Sequence, residues 1–263
     1  MIIYKSEEEI RSIKKSNQIV AKILSELKQM IKPGVQTRDL DAYAERRAIE
    51  MGSIPAFKGY HGFPASLCTS INEEIVHGIP SSRTLREGDI ISLDFGVVFE
   101  GHYGDAAVTC PVGEITPRAK KLIDTAKEAF FKGIVQVKVG KRISDISHAI
   151  QNYVESQGFS VIRTFCGHGI GFSLHEEPQI PNFGKPGCGP KIKPGMVMAL
   201  EPMIAIGDWN VEILADNWTA VTSDRSLSAH YEHTLAVTQN ECEVLSQLSD
   251  EESSVHLKES WYA

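Results

Sequence analysis

Residues 90–105 read IISLDFGVVFEGHYGD, an alternation of apolar and polar side chains that is typical of two β-strands joined by a turn. The apolar side chains of one face are Ile91, Leu93, Phe95, Val97 and Phe99. A turn near residues 99–101 would fold the segment into an antiparallel hairpin and bring Asp94 and Asp105 nearly opposite each other. Two carboxylates at that distance repel, so the pair is either solvated beside a loop or holds a metal ion.

Two helices precede this hairpin. Residues 6–31 predict an amphipathic helix, because apolar residues recur at helical spacing and Ser6 and Glu9 form a capping box. A second helix is predicted from residue 37 to 51, with Gly52 just past its end.

The same layout returns about 106 residues later. A helix is predicted over residues 117–137, and Lys138-Val139-Gly140 then matches Lys32-Pro33-Gly34. The order of helix, Lys-x-Gly, helix, glycine and strand is shared without a gap. We interpret the chain as an internal pseudo-repeat, with halves of about 6–112 and 117–238.

Strands and helices are mixed within each half, and further strands are predicted over 196–203, 218–221 and 231–238. Hairpin-like strand pairs favour an α+β fold, in which helices cover one face of a mainly antiparallel sheet. We expect one domain over residues 1–248, followed by a flexible acidic tail over 249–263.

Composition narrows the class of protein. The chain has 263 residues, 42% of them hydrophobic, and a net charge of -7. An acidic chain is a poor candidate for binding DNA along its phosphate backbone. The sequence shows neither a signal peptide nor a membrane span. Five cysteines without a Cys-x-x-Cys pair indicate reduced thiols in a cytoplasmic protein.

Five residues that could bind metal lie mainly in strand-like segments. They are Asp94, Asp105, His168, Glu201 and Glu232. Four carboxylates and one imidazole suit a pair of hard or borderline divalent cations. Glu201 ends an apolar strand and Glu232 begins another, so each needs a partner if it is buried. A salt bridge is the alternative partner for either glutamate.

His168 lies in a glycine-rich segment, CGHGIGFSLHEEP, at residues 166–178. The glycines allow close approach of the backbone to a ligand. A phosphate-loop interpretation is weak, because Pro178 and Pro181 interrupt any following helix. A second histidine, His175, lies seven residues further on, and the two together favour a site.

These segments closely resemble the type I methionine aminopeptidases from about Ile10 to Leu245. The matching segments are GYHGFP (59–64), CTSINEEIVHGIP (68–80), GDIISLD (88–94), GD (104–105), GHGIG (167–171), HEEP (175–178), MALEP (198–202) and SLSAHYEHT (226–234). Each segment is modest alone, but their order and spacing are highly specific.

The resemblance implies the pita-bread fold, with two pseudo-symmetric halves around a central dimetal site in a single catalytic domain. By analogy, Asp105 and Glu232 would bridge both metals and Asp94 would hold one of them. His168 and Glu201 would hold the other. The oxygen-rich ligand set suits manganese, iron or cobalt, with zinc as the alternative.

The activity that the resemblance implies is removal of the initiator methionine from nascent proteins whose second residue is small. A hydroxide activated by two metals would attack the first peptide bond. Glu201 would carry its proton to the leaving amine. His175 would stabilise the developing oxyanion, and His77 would contact the scissile amide.

The methionine side chain is apolar and flexible, so its pocket should be lined by aromatic and sulfur groups. The pocket positions implied by the family are Tyr60, Phe63, Cys68, Leu174 and Trp218. His230 departs from the family pattern, in which many members carry glutamine, and adds a titratable group near Glu232.

Two alternatives stay open at this point. One is an enzyme of the same fold that acts on other N-terminal residues, such as a proline-directed aminopeptidase. Residues 68–80 and the absence of a large N-terminal domain argue against it. The other is a non-catalytic binding module, although no metal ligand is missing. The short bacterial form is the better match, and we expect a monomer with transient ribosome association and no membrane partner.

Overall fold

The computed structural model describes residues 1–239 and 242–248, so the predicted tail over 249–263 lies outside the described residues. The helices are α1 (Glu7–Met30), α2 (Thr37–Glu50), α3 (Pro117–Ile134) and α4 (Ile143–Ser156), with a short 3-10 helix at Tyr60–Gly62. No helix in this part of the chain combines the length and hydropathy needed to cross a membrane.

The strands are short except for one long hairpin. They are β1 (Ile54–Pro55), β2 (Leu67–Ile71), β3 (Glu74–Val76), β4 (Ile90–Phe99), β5 (His102–Pro111), β6 (Ser160–Val161), β7 (Cys166–Gly169), β8 (Glu176–Pro181), β9 (Val197–Leu200), β10 (Met203–Ala205), β11 (Val211–Ile213), β12 (Ala220–Thr222), β13 (Ser228–His230), β14 (Glu232–Val237) and β15 (Cys242–Val244).

A nine-stranded sheet forms the centre of the molecule. Its strand order is β1-β4-β5-β14-β9-β7-β8, with β2 also pairing with β4 and β15 with β14. Two three-stranded sheets, β13-β10-β6 and β11-β12-β3, flank it. Every strand pair in the described residues is antiparallel, which confirms the predicted α+β class.

The first helix begins where the capping box predicts. Ser6 Oγ accepts the Glu9 backbone N–H at 3.3 Å, and the Glu9 carboxylate accepts the Ser6 N–H at 2.6 Å. These bonds satisfy two N–H groups that a helix terminus otherwise leaves unpaired. Helix α1 then crosses the hairpin.

The hairpin follows the alternation in the sequence, but its register corrects one prediction. Its two-residue turn is Glu100-Gly101, with φ of 51° and 79°, and Phe99 pairs with His102. Backbone with positive φ at both turn residues suits the right-handed twist of paired strands. Asp94 consequently pairs with Ala107, not with Asp105, and the two aspartates lie diagonally on one face.

Two other strand predictions needed adjustment. The strand predicted over 196–203 is two strands, β9 and β10, because Glu201 and Pro202 leave the ladder. Proline has no N–H to donate to a neighbouring strand. The strand predicted at Trp218 begins two residues later, at Ala220.

The helices pack on the face of the sheet that carries the odd-numbered residues of β4. Val20 of α1 belongs to the same buried cluster as Leu93. In the second half, Phe130 of α3 belongs to a cluster with Leu235 of β14. The opposite face of the central strands is therefore left for the candidate site.

The two halves share local detail as well as element order. An isolated bridge joins Gln36 to Thr84 before α2, and another joins Arg142 to Lys191 before α4. Gly34 lies two residues before Gln36, and Gly140 lies two residues before Arg142. The two glycines adopt φ of 94° and 90°. The boundaries of the repeat and of the domain over 1–248 stay predictions.

Candidate metal centre

One face of five adjacent strands, in the order β4-β5-β14-β9-β7, carries the five candidate ligands. They are Asp94 in β4, Asp105 in β5, Glu232 in β14, Glu201 directly after β9, and His168 in β7. Ala107 pairs with Asp94 on one side and with Glu232 on the other. Paired residues of neighbouring strands point to the same face, so these two carboxylates flank one small side chain.

A second alanine has the same place in the other half of the site. Ala199 pairs with His168 on one side and with Thr234 on the other. Glu201 lies two residues after Ala199, and Glu232 lies two residues before Thr234. The period of two along a strand places Glu232 on the same face as His168, and Glu201, which follows the last paired residue of β9, lines the same cavity. Each alanine places only a methyl group between the residues that flank it.

The ligand atoms of three of these residues form a compact group. Atoms of Asp105, His168 and Glu232 lie within 4.8 Å of one another. His168 Nε2 is 3.9 Å from Asp105 Oδ2 and 3.6 Å from Glu201 Oε1. Asp94 lines the same cavity. The fold thus brings all five predicted ligands together.

The histidine is held in the form that can bind a cation. Its Nδ1 donates to the Gly169 carbonyl oxygen at 2.9 Å, which leaves the Nε2 lone pair facing the carboxylates. Burial lowers the pKa of His168 to about 3, so the ring is neutral at physiological pH.

Burial raises the pKa of all four carboxyls, and neighbouring carboxylates add to the shift in three of them. Burial raises the pKa of Asp94 to about 7. Burial first, and then neighbouring carboxylates, raise the pKa values of Asp105 and Glu232 well above their ordinary values. Burial and the charge of Asp94 do the same for Glu201. Such a group is costly to ionise without a cation.

The residues fit a divalent metal. Oδ1 of Asp94 and Oδ1 of Asp105 are buried and have no hydrogen-bond partner among the described residues. Buried polar atoms are normally satisfied, and a coordinated cation would satisfy these two. In the described chain, the basic groups within 4 Å of the Glu201 and Glu232 carboxylates are histidines, so the salt-bridge alternative lacks a lysine or arginine.

The two histidines expected outside the metal set lie at the mouth of the same cavity. His175 Nδ1 is 2.8 Å from Tyr60 Oη, and its ring centroid is 4.4 Å from that of His168. Burial lowers the pKa of His175. The His77 ring packs edge-on to Trp218 at 6.2 Å. Burial, with a smaller contribution from His175, lowers the pKa of His77 to about 4.

All twelve predicted site residues line one cavity of about 270 Å³. Its apolar wall contains the five predicted pocket residues, and the rings of Phe63 and Trp218 pack 5.2 Å apart. The lining residues that the sequence did not indicate are Phe57, Val76, Thr164, Phe165, Cys166 and Met203. Two of them, Phe165 and Cys166, immediately precede the Gly167-His168 pair. Their position next to His168 could have indicated that they line the cavity.

His230 lies deeper, behind the two glutamates. Its Nε2 is 3.6 Å from Glu201 Oε2 and 3.8 Å from Glu232 Oε2. Neither ring nitrogen has a hydrogen-bond partner in the described chain, and burial lowers its pKa to about 3. It is therefore a neutral neighbour of both glutamates.

Comparisons with known proteins agree with this geometry. The model of metallopeptidase family M24 matches residues 11–239. Methionine aminopeptidase 1 of Bacillus subtilis is 51% identical over 248 residues, which is 94% of this chain and 100% of that protein. The methionine aminopeptidase of Clostridium acetobutylicum is 52% identical over 93% of this chain and 98% of its own length.

A solved structure of a methionine aminopeptidase is similar to this chain over nearly its whole length. The methionine aminopeptidase of Thermotoga maritima superposes with a TM-score of 0.93 at 46% identity, covering 94% of this chain and all of that one. The relatives at high identity are methionine aminopeptidases, which favours that activity over the proline-directed and the non-catalytic alternatives. The chain is a member of metallopeptidase family M24 and belongs, within it, to the methionine aminopeptidases.

Proposed function

We propose that this chain removes the N-terminal methionine from nascent polypeptides whose second residue is small, using two divalent metal ions. The observation that carries the proposal is the five-ligand set on one sheet face, joined in a single cavity to two histidines and an apolar wall. Membership of a metallopeptidase family implies divalent metal use. The number of ions and the steps below are our proposal.

Five residues would hold the metals. Asp105 and Glu232 would contact both ions, Asp94 one, and His168 and Glu201 the other. When bound, the ions would neutralise the buried carboxylates and lower the pKa of a water molecule, so that a nucleophile is available near neutral pH. The oxygen-rich set favours manganese, iron or cobalt over zinc.

Glu201 is proposed to move the proton. Its carboxylate lies between His168 and His230, with an oxygen 3.6 Å from Nε2 of each. Both rings are neutral, so neither adds a positive charge that would lower the pKa of Glu201 and make its carboxylate a weaker base. We propose that Glu201 accepts the proton of the attacking water and delivers it to the leaving amine.

His175 is proposed to stabilise the oxyanion. If the Tyr60 O–H donates to His175 Nδ1, the histidine carries its proton on Nε2 and can donate it into the cavity. The lowered pKa keeps the ring neutral, so it acts as a hydrogen-bond donor without an added charge. A donor fixed before reaction is more effective than one that must reorient.

His77 is proposed to contact the scissile amide and to limit the second residue. The ring is packed edge-on between Phe165, at 5.5 Å, and Trp218, at 6.2 Å. The His77 backbone has a φ of 59°, an uncommon value for a residue with a side chain. A ring held this firmly yields little to a bulky neighbour, which supports selection of small second residues.

The methionine side chain is proposed to lie against the apolar wall. Phe63, Cys68 and Leu174 are buried there, and Trp218 and Tyr60 border the opening. Burial raises the pKa of the Cys68 thiol well above its ordinary value, so the sulfur acts as an apolar contact. Polarizable sulfur and aromatic groups suit a thioether.

Cellular context is part of the proposal. We propose a cytoplasmic monomer that meets its substrates during transient contact with the ribosome. The odd cysteine count, without a Cys-x-x-Cys pair, supports the cytoplasmic part of this setting, and ribosome contact follows from the proposed nascent substrates. Light scattering should give a mass near 29 kDa, and co-sedimentation should recover the protein with translating ribosomes at low salt.

The decisive experiment measures methionine release by metal-loaded protein. We expect rapid release from Met-Gly-Met, little from Met-Leu-Met, and none from Leu-Gly-Met. Absence of release from Met-Gly-Met would refute the activity, and equal rates for the first two peptides would refute the small-residue specificity. Metal analysis of anaerobically purified protein identifies the bound ion.

A further inference from the structure

A buried ion pair joins the N-terminal segment to the loop that carries His175. Lys5 Nζ contacts the Glu176 carboxylate, with only 1% and 5% of the two side chains exposed. Glu176 directly follows His175 and begins β8. Its other carboxylate oxygen accepts the backbone N–H groups of Phe172 at 2.7 Å and Ser173 at 3.1 Å. One buried carboxylate thus ties the loop to Lys5.

Lys5 is itself fixed by the body of the fold. Its backbone N–H donates to the Gly195 carbonyl at 2.7 Å, and the Gly195 N–H donates to the Val237 carbonyl at the end of β14. A Cβ on Gly195 would lie 2.8 Å from the Lys5 carbonyl oxygen, and one on Gly171 would lie 2.7 Å from Lys5 Cε. Glycines at both positions leave the room that the lysine occupies.

The loop is held at other points as well: Leu174, directly before His175, is buried, and the Gly171 N–H donates to the Ser173 carbonyl oxygen at 3.2 Å. Phe172 and Ser173, between these points, are exposed, in contrast to the buried pair beside them. The His175 imidazole meets Tyr60, but this contact restrains the ring rather than the preceding backbone. The amides that precede the histidine are held by Glu176, and the charge of Glu176 is matched by Lys5.

We propose that the Lys5–Glu176 pair is a clamp that positions His175 over the metal centre, and that both are positioning residues for the reaction. The inference rests on the role of His175 proposed above. Removing Lys5 would leave the Glu176 carboxylate buried without a counter-charge, which is strongly unfavourable. The carboxylate would turn towards water and release the two amides, and the histidine would lose its place.

The first test is Lys5→Met, which keeps most of the apolar volume and removes the charge. We expect kcat for Met-Gly-Met to fall by about 10- to 100-fold, because small misplacements of reacting groups have effects of this size. Metal affinity, measured by calorimetry, should be unchanged. Lys15→Met is the matched control: Lys15, in α1, pairs with Glu100 of the hairpin turn, both side chains are 57% exposed, and kcat should be unaffected.

A double-mutant cycle with His175→Ala separates positioning from general stabilisation. If Lys5 acts through His175, Lys5→Met should reduce kcat little further once His175 is absent. If the double variant instead loses kcat by the product of the two single losses, the clamp is overturned while the role of His175 stays intact. Wild-type kcat in His175→Ala alone would instead remove the proposed role of His175, and the clamp with it.

Hydrogen exchange supplies a readout independent of turnover. The amides of Phe172 and Ser173 should exchange at least about 10-fold faster in Lys5→Met, reflecting local opening. If Lys5→Met does not fold, the neutral pair Lys5→Met with Glu176→Gln serves instead, because glutamine can still accept both amides. We expect this double variant to retain more of the wild-type kcat than Glu176→Ala, which has no acceptor; equal losses would count against the clamp.

Discussion

At the residue scale, the candidate ligands have small side chains beside them and few hydrogen-bond partners. Ala107 and Ala199 each place only a methyl group between their neighbours on the adjacent strands, and the candidate ligands line one cavity on that face. Asp94 and Asp105 then each retain a buried oxygen without a partner in the described chain. A cation bound between the two side chains would satisfy both oxygens.

Asp105→Ala tests this arrangement directly. We expect metal binding by calorimetry and release of methionine to fall to background, because Asp105 is proposed to contact both ions. The metal-free variant should be at least as stable as metal-free wild type, since one of four mutually repelling buried carboxylates is gone. Asp124→Ala, at an exposed ion pair, is the control and should change neither property. Retained turnover in Asp105→Ala would show that the ligand assignment is wrong.

The two histidines at the cavity mouth should behave differently from the ligands. His175→Ala should reduce kcat by about 10²- to 10³-fold, the usual effect of losing one oxyanion donor. His77→Ala should reduce kcat/KM for Met-Gly-Met and raise relative activity towards Met-Leu-Met, because the second residue gains space. Both variants should bind metal as wild type does. Weakened metal binding in either would place that histidine among the ligands.

At the scale of elements, local sequence patterns predicted which side chains share a strand face, but not which residues pair across the hairpin. The alternation over residues 90–99 gave β4 with its observed bounds, and the capping box located the start of α1. Alternation cannot determine which residues pair across a hairpin, because a shift by two residues preserves every face. The Glu100-Gly101 turn sets that register through its backbone angles, and so places Asp105 diagonal to Asp94.

The contact between α1 and the hairpin should be sensitive to one added methyl group. A Cβ on Gly104 would lie 2.7 Å from backbone atoms of Ser16 and Asn17, and backbone cannot move aside as a side chain can. We expect Gly104→Ala to lower the free energy of unfolding by about 1–3 kcal/mol and to weaken metal binding through Asp105. Gly101→Ala meets nothing within 4 Å, so its cost, about 1 kcal/mol, should come from its positive φ alone.

Urea denaturation, together with calorimetry of metal binding, distinguishes the backbone clash in Gly104→Ala from the backbone strain in Gly101→Ala. Only Gly104→Ala should also lose metal affinity, because only its clash is transmitted to the neighbouring ligand. Equal stability of Gly104→Ala and wild type would mean that α1 can move away from β5 at no cost.

At the scale of the whole molecule, the site is assembled by long-range pairing that sequence spacing alone does not encode. Composition and pattern led to the ligand types, and the resemblance led to their set, but the cavity contains further residues. Phe57 and Met203 reach it from outside the segments that match the family. Which side chains line a cavity depends on how strands from both halves pack, and that information is distributed over the chain.

Four buried carboxylates should also make stability depend on pH and metal together. The folded-state pKa of Asp94 is about 7, against an ordinary value of 3.8, and the other three carboxyls are shifted in the same direction. Their contribution to stability is therefore fully present at low pH and lost as pH rises through the folded-state values. The buried histidines have lowered pKa values and act oppositely, but only below about pH 6.5.

The window from about pH 7 to 8 isolates the carboxylates, because the histidines are neutral there in both states. For chelated protein we expect the free energy of unfolding to fall across this window, by about 1.4 kcal/mol per pH unit for each carboxyl that keeps its proton. Saturating manganese should reverse the trend, since the ligands bind as carboxylates and metal binding stabilises the folded chain. The gap between loaded and chelated protein should then widen with pH, and it should widen less in Asp105→Ala. A chelated protein whose stability is level or rises from pH 7 to 8 would mean that the carboxylates are already ionised without metal, and that the site relies on solvent rather than cations to separate their charges.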